Sequence, residues 1–182
     1  MPRKQSFKKQ SIPVPLLIVE GFTEKNYITI LKSIYRKSAS ITNVKGGGAK
    51  SVLNEAIKAI ETQQGIYSYL VVWFDKDAYD IDDHAILEQV QRKGGDIYIS
   101  QPCVEHWLLA HFQSINLAAT AECDTHKNTL KKHIPNYSKN DCNLLTKYIT
   151  QESIQTAIDN YPAIGKLVTT YFSNRFSSPI NT

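Results

Sequence analysis

The residues best suited to chemistry in this chain are acids that close apolar runs. Glu20 ends the run Val14-Pro15-Leu16-Leu17-Ile18-Val19, and Asp75 ends Leu70-Val71-Val72-Trp73-Phe74, with Lys76 and then Asp77 directly after it. Three carboxylates from two distant segments make a donor set for a hard divalent ion, because Mg²⁺ and Mn²⁺ prefer oxygen ligands. An ion held this way suits phosphoryl transfer: it polarises a phosphate oxygen, acidifies a bound water and steadies the leaving oxygen. Each piece also has a plainer reading. A Glu at a strand end caps the following helix, and Asp-Lys-Asp makes a solvated turn in which the lysine neutralises its neighbours. The conjunction is what favours a metal site. Asp80, Asp82 and Asp83 read as caps of the next helix, and a calcium EF-hand is excluded because Tyr79 and Asp80 stand where that loop needs an oxygen ligand and a glycine.

Other segments carry weaker signals. Gly46-Gly47-Gly48-Ala49-Lys50-Ser51 opens a helix and can present backbone N–H groups to a phosphate, with Lys50 beside them. It is not a Walker A loop, since Ala49 and Val44 occupy the two glycine positions, and it also reads as a plain flexible turn. Lys76, together with Lys127, Lys131, Lys132, His133, Lys139 and Lys147 and the basic start at Arg3, Lys4, Lys8 and Lys9, offers contacts to nucleic-acid phosphates. The same lysines equally make a solvated face, and a net charge of +4 permits a polyanion without demanding one. Cys103 with His106, and Cys123 with His126, repeat the C-x-x-H spacing of zinc sites, although a cysteine on an apolar helix is most often simply buried. The odd count of three cysteines argues against a disulfide framework.

The elements that must position these groups alternate. Strands are expected at 14–19, Ile41–Val44, Tyr69–Phe74 and Ile97–Ile99, with helices between them from Thr23 as N-cap to Arg36, from Val52 to near Gly65, and from Ile81 to Arg92 closed by Gly94-Gly95. This is the pattern of βαβ units: an α/β fold with a mostly parallel sheet, helices on both faces, and a helical C-terminal part. That last part reads as helices over Cys103–Phe112, Thr125–His133, Asp141–Ile149 and one from Ile154 to Phe172. The organisation expected is a basic flexible tail at 1–12, an α/β core at 13–115 and a helical extension at 116–175 packed on it. In an open parallel sheet, ligands bind beyond the carboxyl ends of the strands, where Glu20 and Asp75 fall. No apolar run reaches the roughly 18 residues a bilayer span requires, and no apolar segment follows the basic start as in a secretory signal, so no membrane role and a cytoplasmic location are expected.

Three motifs go further. At Leu17-Ile18-Val19-Glu20-Gly21-Phe22-Thr23-Glu24-Lys25-Asn26-Tyr27, at Trp73-Phe74-Asp75-Lys76-Asp77, and above all at Ser100-Gln101-Pro102-Cys103-Val104-Glu105-His106-Trp107-Leu108-Leu109-Ala110-His111-Phe112, the sequence resembles the RloB family. Ile134-Pro135-Asn136-Tyr137-Ser138-Lys139-Asn140 and Ala157-Ile158 echo its helical end. The resemblance implies a compact TOPRIM-type nuclease of prokaryotic anti-phage defence, often with an ATPase partner. In this chain it implies that Glu20, Asp75 and Asp77 hold Mg²⁺ or Mn²⁺, and that Glu105 and His111 line the same cleft. His111 equally reads as a satisfied core histidine. The family usually carries Glu where Phe22 stands, Pro where Lys25 stands, Asn where Gln101 stands and an apolar residue at His106. Phe22 removes one acid and leaves Glu24 as the auxiliary ligand or base. The implied activity is metal-dependent cleavage of RNA, with tRNA favoured through related TOPRIM defence effectors, or of DNA. Two other functions fit the same cleft: a non-catalytic module that binds nucleic acid or a signalling nucleotide, and an RNA-processing enzyme of the TOPRIM class.

Overall fold

Side chains alternate across a strand, and in β1 (Val14–Val19) both sets are apolar: Leu17 and Val19 join one hydrophobic cluster, Leu16 and Ile18 another. A strand that is apolar on both faces belongs inside a parallel sheet. The computed structural model, which describes residues 12–63, 65–117 and 122–173, has that architecture. Apart from Ile12, the expected basic tail lies outside the described residues, as does the chain after Ser173.

Helix α1 (Phe22–Tyr35) leads to β2 (Ser40–Asn43), α2 (Gly48–Thr62) to β3 (Tyr67–Asp75), and α3 (His84–Arg92) to β4 (Gly95–Ser100). The four strands pair in parallel in the order β2-β1-β3-β4. Residues of α2 and α3 cover the face formed by Leu16, Ile18, Leu70, Val72 and Phe74. The other face, with Leu17, Val19, Val71, Trp73 and Tyr98, is covered by α1 and by α4 (Val104–Leu109), α5 (Cys123–His133), α6 (Cys142–Tyr148), α7 (Gln151–Asn160) and α8 (Pro162–Tyr171). The α/β class expected from the sequence is therefore observed. No helix among the described residues is long and apolar enough to cross a membrane.

Several boundaries differ from expectation for identifiable reasons. The expected helix from Ile154 to Phe172 is two helices, because Pro162 has no N–H to give and holds Tyr161 extended (φ −138°, ψ 101°); it becomes the first residue of α8 instead. Gly21, not Thr23, caps α1, leaving the Thr23 hydroxyl for contacts with the C-terminal part. Ahead of α3, a short 3₁₀ turn at Ile81–Asp83 is closed by a reciprocal pair: Asp80 Oδ1 accepts from Asp82 N and Asp83 Oδ2 from Asp80 N. Gly94, at φ 86°, ends the helix as expected, whereas Gly95 begins β4, where a Cβ would lie 2.5 Å from Val90 Cγ1.

The sheet and the helical extension share one core. Trp73 of β3 meets Trp107 of α4 at a centroid distance of 4.5 Å, and Trp107 meets Tyr161 at 5.0 Å, while Tyr27 of α1 packs edge-on against both tryptophans. Truncating this centre removes a large, fully buried side chain. Trp107→Ala is expected to cost about 3–5 kcal/mol. Urea unfolding followed by tryptophan fluorescence and by far-UV circular dichroism should give one coincident transition in wild type; two separated transitions would show that the extension is not part of this core.

Candidate functional site

The sheet order decides where a site can form. From β1 the chain moves to β2 on one side and then returns to β3 on the other, so the strand order reverses between β1 and β3 and a crevice opens beyond their carboxyl ends. Glu20 and Asp75 are the residues at those two ends. Val19 pairs with Trp73, the Glu20 N–H donates to Trp73 O at 3.1 Å, and the Asp75 N–H donates to Glu20 Oε2 at 3.2 Å. The following turn is held from the third motif, since the N–H groups of Lys76 and Asp77 both donate to Pro102 O, at 3.0 and 3.3 Å.

Two further acids come from helix starts. Glu24, in the first turn of α1, folds back over Gly21, where an added Cβ would stand 2.9 Å from Glu24 Oε2. The helix N-terminus favours a negative charge at that place. Glu105, in the first turn of α4, is 1 % exposed, and its Oε1 accepts from Lys139 Nζ at 3.3 Å and from the Tyr137 hydroxyl at 3.4 Å. Glu20, Glu24, Asp75 and Lys139 line one cavity of about 90 Å³, with Phe22 exposed in its wall. A larger concavity of about 600 Å³ lies between α1, α7 and α8, but among the described residues Glu152 is its sole acid and no cation lines it, so the convergent chemistry is in the smaller one.

Crowding like charges out of water raises their proton affinity. Burial, reinforced by the charges of Glu24, Glu20, Asp77 and Glu105, pushes the Asp75 carboxyl up to about 9. Burial, with Glu20 and Glu105 nearby, pushes Glu24 up to about 7 against the pull of its own backbone N–H and of Lys139. Glu20 is raised too, by burial and by Asp77, partly offset by the Asp75 N–H and Lys139. Asp75 Oδ1 and Glu105 Oε2 are buried without a hydrogen-bond partner among the described residues. An all-oxygen cluster that holds protons this tightly and leaves oxygens unsatisfied fits a hard cation in its donor chemistry, and no salt bridge among the described residues engages Glu20, Asp75 or Asp77. Among the described residues, however, no three His, Cys, Asp or Glu side chains are already arranged to grasp an ion. Glu20 has turned to the Asp75 amide, Glu105 to Lys139, and Asp77 Oδ2 accepts from Cys123 Sγ at 3.2 Å, so gripping a cation requires side-chain rotation.

Of the residues singled out from the sequence, Glu20, Glu24, Asp75, Asp77 and Glu105 come together. His111 does not join them: it is buried against Tyr27, with Nε2 3.2 Å from the Tyr27 hydroxyl and Nδ1 3.1 Å from Leu108 O, and burial lowers its pKa to about 4. It is a satisfied core histidine. Gly46 lines the cavity, but its N–H is committed to Glu20 O at 2.9 Å, so within Gly46-Gly47-Gly48 that amide is not offered to a phosphate. Lys50 and Lys76 are exposed, the latter with Nζ 4.8 Å from the centre of the Tyr79 ring. Lys131 and Lys132 lie at the far end of α5, about 12 Å along the axis from Cys123, which touches Asp77. Cys103 and Cys123 do meet, their thiols side by side, and the His106 and His126 rings stack at 4.3 Å. Stacked imidazoles present faces to each other and not nitrogens to a common ion, so the two C-x-x-H pairs do not form a zinc cage. Lys139 is read from the sequence as one phosphate-contacting lysine among many; its place in the cleft beside Glu105 is what the sequence does not show.

A protein-family model described as RloB-like protein matches residues 16–169. The chain belongs to the RloB-like family. The matched stretch of this RloB-like chain spans nearly all of the sheet, the five acids and the loop that carries Lys139. No curated protein and no solved structure matches the chain.

Raised carboxyl pKa values are also statements about stability. The folded protein retains protons on Glu24 and Asp75 that the unfolded chain gives up near their ordinary 4.5 and 3.8, so their contribution is full below about pH 4 and is lost as pH climbs through about 7 and then about 9. The Tm of the metal-free protein is expected to fall across that interval, and Asp75→Asn, neutral throughout, should flatten the alkaline part and be the more stable protein near its upper end. Parallel Tm–pH curves for the two proteins would contradict the assignment.

Proposed function

We propose that this RloB-like chain is a divalent-metal-dependent endonuclease that hydrolyses phosphodiester bonds in RNA, with tRNA favoured, or in DNA, as part of prokaryotic anti-phage defence alongside an ATPase partner. The observation that carries the reading is the union, at the sheet's crevice, of Glu20 and Asp75 through one hydrogen bond, with Asp77, Glu24 and Glu105 close enough to raise the proton affinity of Asp75. The defence setting and the partner rest on family membership alone.

Glu20, Asp75 and Asp77 would hold Mg²⁺ or Mn²⁺. The bound ion would neutralise phosphate charge and acidify a water molecule. Glu24 suits the role of general base: a group that titrates near the working pH combines the right protonation state with useful basicity, and its carboxyl stands at about 7. Glu105 is engaged by Lys139 and Tyr137 and is assigned to holding them. His111 is given no part in proton transfer, because burial keeps it neutral and both ring nitrogens have partners. Gly47, Gly48 and Lys50, at the start of α2 beside the end of β1, offer a place for a flanking phosphate.

The decisive experiment incubates the protein with labelled tRNA, single-stranded DNA and duplex DNA in Mn²⁺, Mg²⁺ or EDTA. Cleavage should require the metal, and Glu20→Ala or Asp75→Ala should slow it about a hundredfold or more. Tight nucleic-acid binding that survives loss of both acids, with no turnover on any substrate, would overturn the nuclease reading in favour of a non-catalytic binding module.

A further inference from the structure

Five carboxylates gather at the crevice, and among the described residues that line its cavity the ammonium is that of Lys139, from the helical extension. Lys139 lies in the turn between α5 and α6, remote in sequence from every acid it faces. Its backbone is pinned to α1: the Thr23 hydroxyl and the Asn26 amide both donate to Lys139 O, at 3.4 and 3.3 Å. Two residues earlier, the buried Tyr137 hydroxyl sits 3.3 Å from Thr23 Oγ1 and donates to Glu105 Oε1. The turn is therefore fastened to α1 and to α4, and Lys139 differs from a mobile surface lysine in having its root fixed at the mouth of the cleft. Its side chain remains 54 % exposed while its partner Glu105 is 1 % exposed, so the ammonium faces both the buried acid and the solvent from which a ligand arrives. An ammonium carries three N–H donors, and Glu105 Oε1 takes one.

A phosphodiester approaching this wall meets the carboxyl groups of Glu20, Glu24 and Asp75, which turn negative as they give up their protons. It needs a fixed cation on the protein as well as any ion the acids hold, and Lys139 lines the same cavity as those three. We propose that Lys139 is the substrate-phosphate contact of the cleft, and that Glu105 and Tyr137 are positioning residues that aim it. The inference rests on the nuclease reading for the identity of the ligand, a nucleic-acid phosphate. The competing role is that of a counter-ion which merely neutralises Glu105.

Binding separates the two roles without relying on turnover. A fluorescent single-stranded oligonucleotide is titrated with wild type, Lys139→Met, Lys139→Arg and the double variant Lys139→Met with Glu105→Gln, each in Ca²⁺ and over a range of salt. The double variant leaves no unpaired buried charge, and its Tm reports whether it is folded. The expected result is about a tenfold loss of affinity in Lys139→Met and in the double variant, a salt dependence shallower by about one contact, and near wild-type binding by Lys139→Arg. Unchanged affinity and salt slope in a folded double variant would overturn the inference and leave Lys139 as a counter-ion, as would a wild-type protein with no affinity for the oligonucleotide. Should wild type bind with the expected Lys139 dependence and yet cleave nothing in Mn²⁺, the nuclease reading fails while the phosphate contact stands.

Discussion

One hydrogen bond, from the Asp75 N–H to Glu20 Oε2, fastens the ends of β1 and β3 and sets the character of the whole crevice. It exists because the two strands are parallel neighbours in a register that pairs Val19 with Trp73, so the next residues along emerge together at the same edge. An antiparallel arrangement would have sent one of the acids to the opposite end of the sheet. Adding Glu24 from the start of α1 and Glu105 from the start of α4 brings more negative charge to the same place, and burial then makes the charges costly. The fold answers locally with raised proton affinity, backbone N–H donors and Lys139.

Much of this arrangement was legible from residue types and spacing. Apolar runs on both faces of β1 and β3 announced a parallel sheet, and the placement of Glu20 and Asp75 at their ends announced the crevice. Glu24 entered as the acid nearest the position where Phe22 replaces a family Glu, and it does reach the cleft. What spacing leaves open shares one physical origin. Local pattern carries the direction of a side chain only where periodicity fixes it, and the described elements after Pro102 are all helices joined by turns, with several apolar faces to choose between. For His111 the resemblance implies the cleft and the residue pattern equally allows the core; Tyr27 offers it a hydrogen bond inside the core, and a buried neutral imidazole with both nitrogens engaged is a stable tenant there. Lys139 stands in the sequence only as one basic residue of a group: nothing in its neighbourhood of lysines reports that its carbonyl is anchored to α1, more than a hundred residues away in sequence.

The helical extension accordingly has two tasks that the sequence does not separate. Through Tyr161, packed on Trp107 of α4, it completes the hydrophobic cover over one face of the sheet, and through Tyr137 and Lys139 it closes the electrostatics of the cleft. Both depend on α4, which contributes Trp107 to the core and, two residues before it, Glu105 to the crevice. A shift of α4 sufficient to repack Trp107 would carry Glu105 with it, so stability and site geometry are coupled through a six-residue helix.

That coupling bears on why the cleft contains a lysine at all. Asp75, 8 % exposed and crowded by neighbouring acids, would lose less by protonation than by standing ionised alone, and a site built only of such acids would spend much of its time neutral, with little pull on a cation. A tethered ammonium favours the ionised state of its neighbours without filling their coordination: Lys139 occupies Glu105 Oε1 while Asp75 Oδ1 stays unengaged among the described residues. Anchoring the lysine through its own carbonyl, and not through its head group, leaves the ammonium free to divide its donors between Glu105 and an incoming anion. The acids then retain a bias toward cations, the mouth retains one fixed positive charge, and both follow from where a single turn between α5 and α6 is tied down.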